Sequence, residues 1–356
     1  MSEGKLVSTV TTYVWNDRAA HVHRSRDISM KGHLVAFDIG GSKIAVLARD
    51  RATGRDVYAD KLKTPAEDGV GAILGLLDAE IDAVPGGRRR MTALGIAVPG
   101  HVDADGHVLN AGNLAGWVNV PLRELLEDRY GVPVFVERDA NCGALGEKHA
   151  GAAKRMHDFV FLSLGTGVGA GIVIDDRIYR GAHFAAGEAG DMTFPVHEDE
   201  DGRPTVSDVV GKRSVKKKVK RATGKKMTAA EALAKSEPRI EKATRAVVDY
   251  LSSCVVAISS LIDPEAILFG GGTSDAGEAL LRKVRDQIAP HLVIRPRLML
   301  AGLGSDSQLH GALWGAREVL SRARARHKPR TASFRPARAL RAFRAASRQS
   351  RQGREP

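Results

Sequence analysis

The apolar residues of this chain form short strand-like runs that alternate with helical patterns. In LVAFDIGGSKIAVLARD, residues 34–50, two apolar runs meet at a Gly-Gly pair, which predicts a β-hairpin. The same pattern returns in FVFLSLGTGVGAGIVIDD, residues 159–176, where the turn contains Gly-Thr-Gly. Two copies of one unit indicate two related domains that face each other.

The rest of the chain alternates between the two kinds of pattern. Apolar residues at helical spacing predict four helices, near 71–84, 122–130, 247–263 and 305–322. Apolar runs with strand character stand at 92–100, 134–136, 265–272 and 296–304. Thr228 and Glu231 have the spacing of a capping box at a helix start. Strands alternating with helices predict α/β domains.

These patterns divide the chain into four parts. We expect an N-terminal α/β domain over 31–140 and a C-terminal α/β domain over 141–322, whose last helix, 305–322, packs back on the N-terminal domain. Residues 1–30 lack sustained periodicity and end at a second methionine, so we expect a flexible extension. The Arg-rich residues 323–356 contain too few bulky apolar side chains to fold alone, which predicts disorder.

Composition excludes several classes of protein. No stretch reaches the length of apolar residues that a membrane span needs, and the first thirty residues have no apolar core like that of a signal peptide. The only two cysteines, Cys142 and Cys254, are too few for a disulfide framework or a zinc cluster. We therefore expect a cytoplasmic protein without membrane contact.

The net charge of +12 is unevenly distributed. The tail, 323–356, supplies +10 of it, so the rest of the chain is nearly neutral. Within that rest, residues 212–226 contain nine cations and no acid. A solvated helix face is the simplest interpretation; the alternative is an anion-binding track near a cleft, for a phosphorylated ligand, polyphosphate or nucleic acid. The tail is a second candidate for non-specific polyanion contact.

Three Gly-rich turns follow strand-like runs, at 40–41, 165–171 and 270–272. Glycine lets backbone N–H groups approach phosphate oxygens, because no Cβ is in the way. None of the turns has the form of a P-loop or of a Rossmann fingerprint. A single turn would indicate a hairpin, whereas three in this order indicate a nucleotide site of another kind.

A charged pair, Arg138 and Asp139, separates an apolar strand-like run from a helical pattern in VPVFVERDANCGALGE, residues 132–147. One interpretation is that Asp139 caps the helix, since a short carboxylate accepts the first free N–H groups. The other is that Asp139 is a catalytic base. An aspartate at a strand end is rigidly placed, and a carboxylate in reach of a hydroxyl can accept its proton.

Seven segments taken together resemble the ROK family of sugar kinases and sugar-responsive repressors. They are FDIGGSKI, GIAVPGHVD, NLAGWVNVPL, VERDANCGALGE, LGTGVGAGIVIDDRIYRGAHFAAGEAGD, DPEAILFGGG and AGLGSDSQLHGALWGARE. The resemblance runs from about residue 33 to 322 in family order. It implies the actin-like, hexokinase-type fold (ribonuclease H-like), with two α/β domains around a cleft, ATP on one side and a hexose on the other.

The resemblance also implies roles for individual residues. The first phosphate loop would be Asp38, Gly40, Gly41, Ser42 and Lys43, the second Gly165, Thr166 and Gly167, and the adenosine side Gly270, Gly271 and Gly272. Asp38 would help to place Mg²⁺, which neutralises charge on the phosphates. Asn113 and Glu188 match ligands of the sugar hydroxyls, and Asp139 matches the catalytic base.

The sequence departs from the family pattern at two positions. Asp191 stands where the family commonly has His followed by a cysteine-rich zinc loop, and no cysteine follows here. We expect no structural zinc, because His197 alone cannot form a tetrahedral site and is better explained as a surface histidine. Arg138 stands where family kinases usually have Asn in contact with the sugar.

Arg138 and Asp191 remain candidate substrate-binding residues. The Arg138 guanidinium would lower the pKa of Asp139, or it would point away and pair with Glu137, Glu188 or Asp191. An Arg138–Asp191 ion pair that compensates for both substitutions is one hypothesis. With two contacts changed, the sugar need not be glucose.

The sequence favours a glucokinase-like, ATP-dependent hexose kinase with Asp139 as base. The alternatives are a sugar-binding sensor or regulator without turnover, and a kinase that uses polyphosphate as donor. Repressor members carry a helix-turn-helix domain before the sugar domain, and thirty residues are too few for one, so we do not expect a DNA-binding repressor. The resemblance implies a homodimer.

Overall fold

The computed structural model describes residues 31–195 and 204–327, with the side chain of the last residue excepted. The predictions for residues 1–30, for His197 and for the chain beyond residue 327 lie outside the described residues. Described residues up to Leu320 form one compact unit, and the fold and site given below belong to it.

Strands and helices alternate as the sequence predicts. The strands of the described residues are β1 (His33–Ile39), β2 (Lys43–Asp50), β3 (Asp56–Lys63), β4 (Met91–Val98), β5 (His101–Val102), β6 (Val108–Asn110), β7 (Val118–Val120), β8 (Val134–Arg138), β9 (Phe159–Leu164), β10 (Val168–Ile174), β11 (Arg177–Ile178), β12 (Ala266–Gly270) and β13 (Arg297–Leu300). The α-helices are α1 (Gly69–Ala83), α2 (Gly87–Arg90), α3 (Leu122–Tyr130), α4 (Asp139–His149), α5 (Val206–Val210), α6 (Lys212–Thr223), α7 (Ala229–Leu233), α8 (Pro238–Ile262), α9 (Glu278–Ile288) and α10 (Ser307–His327).

Two five-stranded sheets share one topology. Their orders are β3-β2-β1-β4-β8 and β11-β10-β9-β12-β13. In each, an antiparallel hairpin, β1–β2 or β9–β10, is followed along the sheet by two parallel strands. The repeated hairpin read from the sequence is therefore confirmed. Both glycine-containing turns stand at the same position in their sheets.

The boundaries of two helices differ from the prediction. α8 begins at Pro238, well before the predicted start, because proline fits the first helical position where no N–H partner is lost. α10 continues to His327, five residues into the segment that we predicted to be disordered. α8 is also the one helix in the described ranges that is long and apolar enough to cross a membrane. Buried residues along it, such as Val247 and Leu251, pack in the core against the second sheet, as in a core helix.

α10 packs on the first sheet through a cluster of small and branched residues. Its members are Leu34, Ala36, Leu47, Ala93, Ala97, Cys142, Leu309, Ala312, Leu313, Ala316 and Leu320. The contact is close: a Cβ on Gly95 of β4 would lie 1.9 Å from the carbonyl oxygen of Ala312. Glycine is thus required where helix and strand backbones approach each other.

A buried carboxylate joins α4 to the beginning of α10. Glu147 is fully buried and accepts the hydroxyl of Ser307 at 2.8 Å and the backbone N–H groups of Ala152, Gly302 and Leu303 at 2.8–3.0 Å. A buried charge is tolerated when hydrogen bonds replace its hydration. These four bonds hold the base of α4, the helix that begins at Asp139.

Candidate active site

A cleft of about 270 Å³ brings together residues from distant parts of the chain. Its lining residues are Gly41, Ser42, Ala66, Glu67, Gly112, Asn113, Leu114, Ala115, Thr166 and Arg213. Gly41 and Ser42 belong to the β1–β2 turn, and Thr166 to the matching β9–β10 turn. Asn113 stands on the loop between β6 and β7. The two predicted phosphate loops and one predicted sugar ligand therefore border one cleft.

Both predicted phosphate loops are closed by short backbone hydrogen bonds. The N–H of Gly40 donates to the carbonyl of Lys43, and the N–H of Gly165 donates to the carbonyl of Gly167, each at 2.9 Å. A Cβ on Gly41 would lie 3.0 Å from the Cβ of Asn113. The first loop therefore contacts the loop that carries the predicted sugar ligand.

The third glycine turn lies against the end of β9 rather than in the lining of the cleft. Gly271 has φ +81°, and a Cβ there would lie 2.6 Å from the carbonyl oxygen of Leu164. The N–H of Thr273 donates to the same carbonyl at 3.0 Å. The predicted adenosine side, Gly270–Gly272, thus adjoins the second phosphate loop.

Asp139 is the first residue of α4 and is partly buried. Its Oδ1 accepts the adjacent N–H of Ala140 at 2.7 Å, while the N-cap position itself is Arg138, whose side chain makes no capping bond. Burial raises the pKa of Asp139; the charge of Arg138 and the Ala140 N–H lower it, and Glu188 raises it. Asp139 is not among the residues that line the cleft described above, but a partly buried carboxyl with a raised pKa is suited to accepting a proton.

Asp38 stands at the end of β1, close enough to Asp139 for the charge of Asp139 to raise the pKa of Asp38. Burial, which is the largest cause, and the charges of Asp139 and Asp306 together raise the pKa of Asp38 to about 7, although the charge of Lys61 lowers it. No group of three or more His, Cys, Asp or Glu side chains is arranged to hold a metal in the described ranges. Mg²⁺ ordinarily takes one or two carboxylates together with substrate phosphates, and Asp38 offers such a carboxylate beside the first phosphate loop.

Replacing Asp38 with Asn is expected to raise the melting temperature more at pH 8 than at pH 5. The pKa of Asp38 is raised on folding, so its contribution to stability is full below about pH 4 and is lost as pH rises towards 7. Thermal unfolding of Asp38→Asn at both pH values tests this. Asp105→Asn, at an exposed turn, is the matched control for the removal of one aspartate charge. An equal gain in melting temperature at both pH values would contradict a raised pKa for Asp38.

Arg138 pairs with Glu188, one of the three partners considered from the sequence. Arg138 is 3% exposed, and its guanidinium donates to the Glu188 carboxylate and to the backbone carbonyl of Ala170. The Arg138 Nε is buried without a partner. Asp191 lies in a short 3-10 helix, Ala189–Asp191, and is exposed. No Arg138–Asp191 ion pair occurs among the described residues, so that hypothesis is wrong.

The structure adds three polar residues that the sequence reasoning missed. His101 places its Nε2 3.5 Å from the Glu188 carboxylate. Arg180 Nε donates to Glu137 at 2.8 Å, and Asn141 Nδ2 donates to the other oxygen of Glu137 at 3.0 Å. A buried glutamate needs a hydrogen-bonding or charged partner, so the position of Glu137 in an apolar strand indicates from the sequence that such a partner exists. Its distant partner, Arg180, has no local signal.

Lys212 lies near enough to three other cations for their charges to act on it. Burial lowers the pKa of Lys212, and the charges of Lys216, Lys43 and Arg213 lower it further. Lys43 is the last residue of the predicted first phosphate loop, and Arg213 lines the cleft itself. Like charges that disfavour one another in this way favour the binding of an anion between them.

Residues 34–319 match a family model described as the ROK family. The chain is 30% identical over 317 residues to a glucokinase from Halalkalibacterium halodurans, covering 79% of this chain and 93% of that protein. It is 28% identical over 281 residues to a xylose repressor from Caldicellulosiruptor bescii, covering 72% of this chain and 70% of that protein. Among solved structures, a ROK family glucokinase from Streptomyces griseus in complex with glucose and AMPPNP matches with TM-score 0.70 and 28% identity. The match covers 81% of this chain and 100% of that glucokinase.

Proposed function

The chain belongs to the ROK family and has the actin-like fold of its sugar kinases, and we propose that it phosphorylates a hexose or a hexose derivative with ATP. The observation that carries the proposal is the position of Asp139. This partly buried carboxylate, with its raised pKa, is close enough to Asp38 for their charges to interact, and Asp38 adjoins the first of the two phosphate loops that border the cleft.

We infer the following division of roles. The triphosphate lies between the Gly40–Lys43 and Gly165–Gly167 loops, where backbone N–H groups and Lys43 face its oxygens. Asp38 is the residue that would hold Mg²⁺, directly or through water, and the ion would neutralise charge on the β and γ phosphates. Gly270–Gly272, behind the second loop, borders the adenosine.

Asp139 accepts the proton of the sugar hydroxyl as that oxygen bonds to the γ phosphorus and the bond to the β phosphate oxygen breaks. Asn113 and Glu188 orient the remaining hydroxyls. Arg138 holds Glu188 in place and keeps the pKa of Asp139 lower than burial alone would set it. Asp191, exposed beside Glu188, borders the sugar side.

A sugar-binding sensor without turnover is the second candidate. The Arg138–Glu188 pair favours it, since a guanidinium occupies part of the hydrogen-bonding capacity of a predicted sugar ligand. The similarity to a xylose repressor supports the same alternative. Both candidates bind sugar in one cleft, so only turnover separates them.

ADP release from ATP and Mg²⁺ across a panel of glucose, mannose, fructose, N-acetylglucosamine and xylose tests the proposal. We expect release that depends on at least one sugar and saturates with it. A matched incubation without sugar measures background hydrolysis. Saturable sugar binding by calorimetry together with ADP release at background for every sugar would establish the sensor and end the kinase proposal.

A further inference from the structure

The lining of the cleft contains two charged side chains of opposite sign. They are Glu67 and Arg213, and the other lining residues are uncharged. Both are exposed, and neither forms an ion pair with the other or with a further residue in the part of the chain that the structure describes. Opposite charges that border one cleft without pairing attract ligand groups of the opposite sign. The cleft can therefore take an anion at one place and a cation at another.

Arg213 belongs to the side of the cleft where the donor phosphates are proposed to lie. It stands in the first turn of α6, and the backbone N–H of Lys212 donates to the carbonyl of Gly165 in the predicted second phosphate loop at 3.1 Å. Lys43 of the predicted first loop lies near enough to Lys212 for their charges to interact. The positive side of the cleft thus matches the phosphates of ATP.

Glu67 belongs to the side of the cleft that carries the predicted sugar ligand Asn113. It stands with Ala66 on the loop between β3 and α1. The N–H of Ala115 donates to the carbonyl of Ala66 at 2.8 Å, which joins this loop to the loop that carries Asn113. Glu67 and Asn113 both line the cleft, so a sugar bound by Asn113 lies beside the Glu67 carboxylate.

The positive groups near the predicted sugar ligands are directed at Glu188. Arg138 donates to its carboxylate, and His101 Nε2 lies 3.5 Å from it. Asp191, three residues after Glu188, is exposed and forms no ion pair with a described residue. The proposed sugar side therefore carries two carboxylates, those of Glu67 and Asp191, with which no described cation pairs.

We propose that Glu67 binds a protonated amino group of the acceptor, so that the preferred substrate is an amino sugar with an unsubstituted amine. This rests on the proposed kinase function for turnover, but not for binding. Neutral hexoses and N-acetylated hexosamines offer Glu67 only neutral donors, and charge-assisted hydrogen bonds are about twice as strong. The ammonium group does not react: the phosphoryl group still passes to a hydroxyl oxygen, whose proton goes to Asp139.

Glu67 also stands just before helix α1, so a structural role has to be separated from binding. The helix dipole favours acids near a helix N-terminus. Asp68, the N-cap residue of α1, is also exposed but does not line the cleft. Asp68→Asn removes the same charge from the same loop, and it is therefore the matched control for Glu67→Gln.

The test compares full-length wild type, Glu67→Gln, Glu67→Lys and Asp68→Asn. The acceptors are glucosamine, mannosamine and galactosamine, each beside its neutral parent sugar and its N-acetylated form. ADP release with ATP and Mg²⁺ gives kcat/KM for each sugar, and the ratio of amino sugar to parent cancels general damage to the site. Calorimetry of sugar binding without nucleotide measures the same preference independently of turnover.

We expect the wild type to prefer at least one amino sugar over its neutral parent and its N-acetylated form by about fivefold, the upper range for an exposed ion pair. The preference should fall to near one in Glu67→Gln. In Glu67→Lys the like charge should reverse it, so that the neutral parent is preferred. Asp68→Asn should keep the preference within about twofold of the wild type.

Equal binding of amino sugars and their neutral parents by the wild type would overturn the proposal, and so would a preference that Glu67→Gln retains. An equal loss of preference in Asp68→Asn would assign the effect to the charge of the loop instead of to Glu67. Turnover of neutral hexoses without any preference for amines would leave the kinase proposal standing alone. Absence of turnover with every sugar would contradict the kinase proposal, and calorimetry would then decide whether Glu67 recognises the amine.

Discussion

Asp139→Asn is expected to lower kcat for sugar phosphorylation by about 10²- to 10⁴-fold, the usual contribution of a general base. Asparagine keeps the size of the side chain and can still accept a hydrogen bond from the Ala140 N–H. It cannot take the proton of the sugar hydroxyl. The KM for ATP should change little, since the nucleotide is bound by the two phosphate loops. Coupled measurement of ADP release at saturating sugar and ATP gives the comparison.

The same variant should be at least as stable as the wild type at pH 8. Burial raises the pKa of Asp139 on folding, so its ionised form costs stability above the unfolded pKa and removing the charge recovers it. Lower activity with unchanged or higher melting temperature is the signature of a catalytic residue rather than of a structural cap. If Asp139→Asn retains more than about a tenth of kcat, or is clearly less stable, Asp139 is a structural residue at the helix terminus and not the catalytic base.

Local sequence patterns predicted the helices and strands of this fold well. Both glycine hairpins form, α3 has the predicted bounds, and Thr228 accepts the N–H of Glu231 while Glu231 bonds back to the Thr228 N–H, as in a capping box. Each of these depends on neighbours in sequence, so the sequence contains the information directly. α9 was not predicted, although its buried residues Leu280, Leu281, Val284 and Ile288 stand at helical spacing.

The site is predictable only in part, for a physical reason. The turn glycines, Asn113 and Asp139 lie within recognisable local patterns. The partners that set the electrostatics of the site are far apart along the chain: Arg138 binds Glu188, and Glu137 binds Arg180. Ion pairs of this kind follow from how β8, β10 and the following loops pack together, and no spacing rule identifies them. The Arg138–Asp191 ion pair, which was inferred from the sequence and does not form, shows the same limit of prediction from sequence spacing.

Arg138→Gln is expected to lower the free energy of unfolding by about 3 kcal/mol, because it leaves Glu188 and the Ala170 carbonyl without their buried donor. It should also shift the acid limb of the kcat/KM profile to higher pH. Arg138 is the cation that lowers the pKa of Asp139, so without it the base is protonated over a wider pH range. Arg138→Lys keeps the charge, and its acid limb should stay near that of the wild type.

Arg180→Gln provides the matched control for this shift. It breaks the pair with buried Glu137, so a comparable loss of stability is expected, yet Arg180 is not among the groups that move the pKa of Asp139. Its acid limb should therefore coincide with that of the wild type. A shift of equal size in both variants would assign the effect to general loosening of the site. A shift in Arg138→Gln alone would establish that Arg138 sets the protonation of the base, because the two variants differ chiefly in the charge beside Asp139.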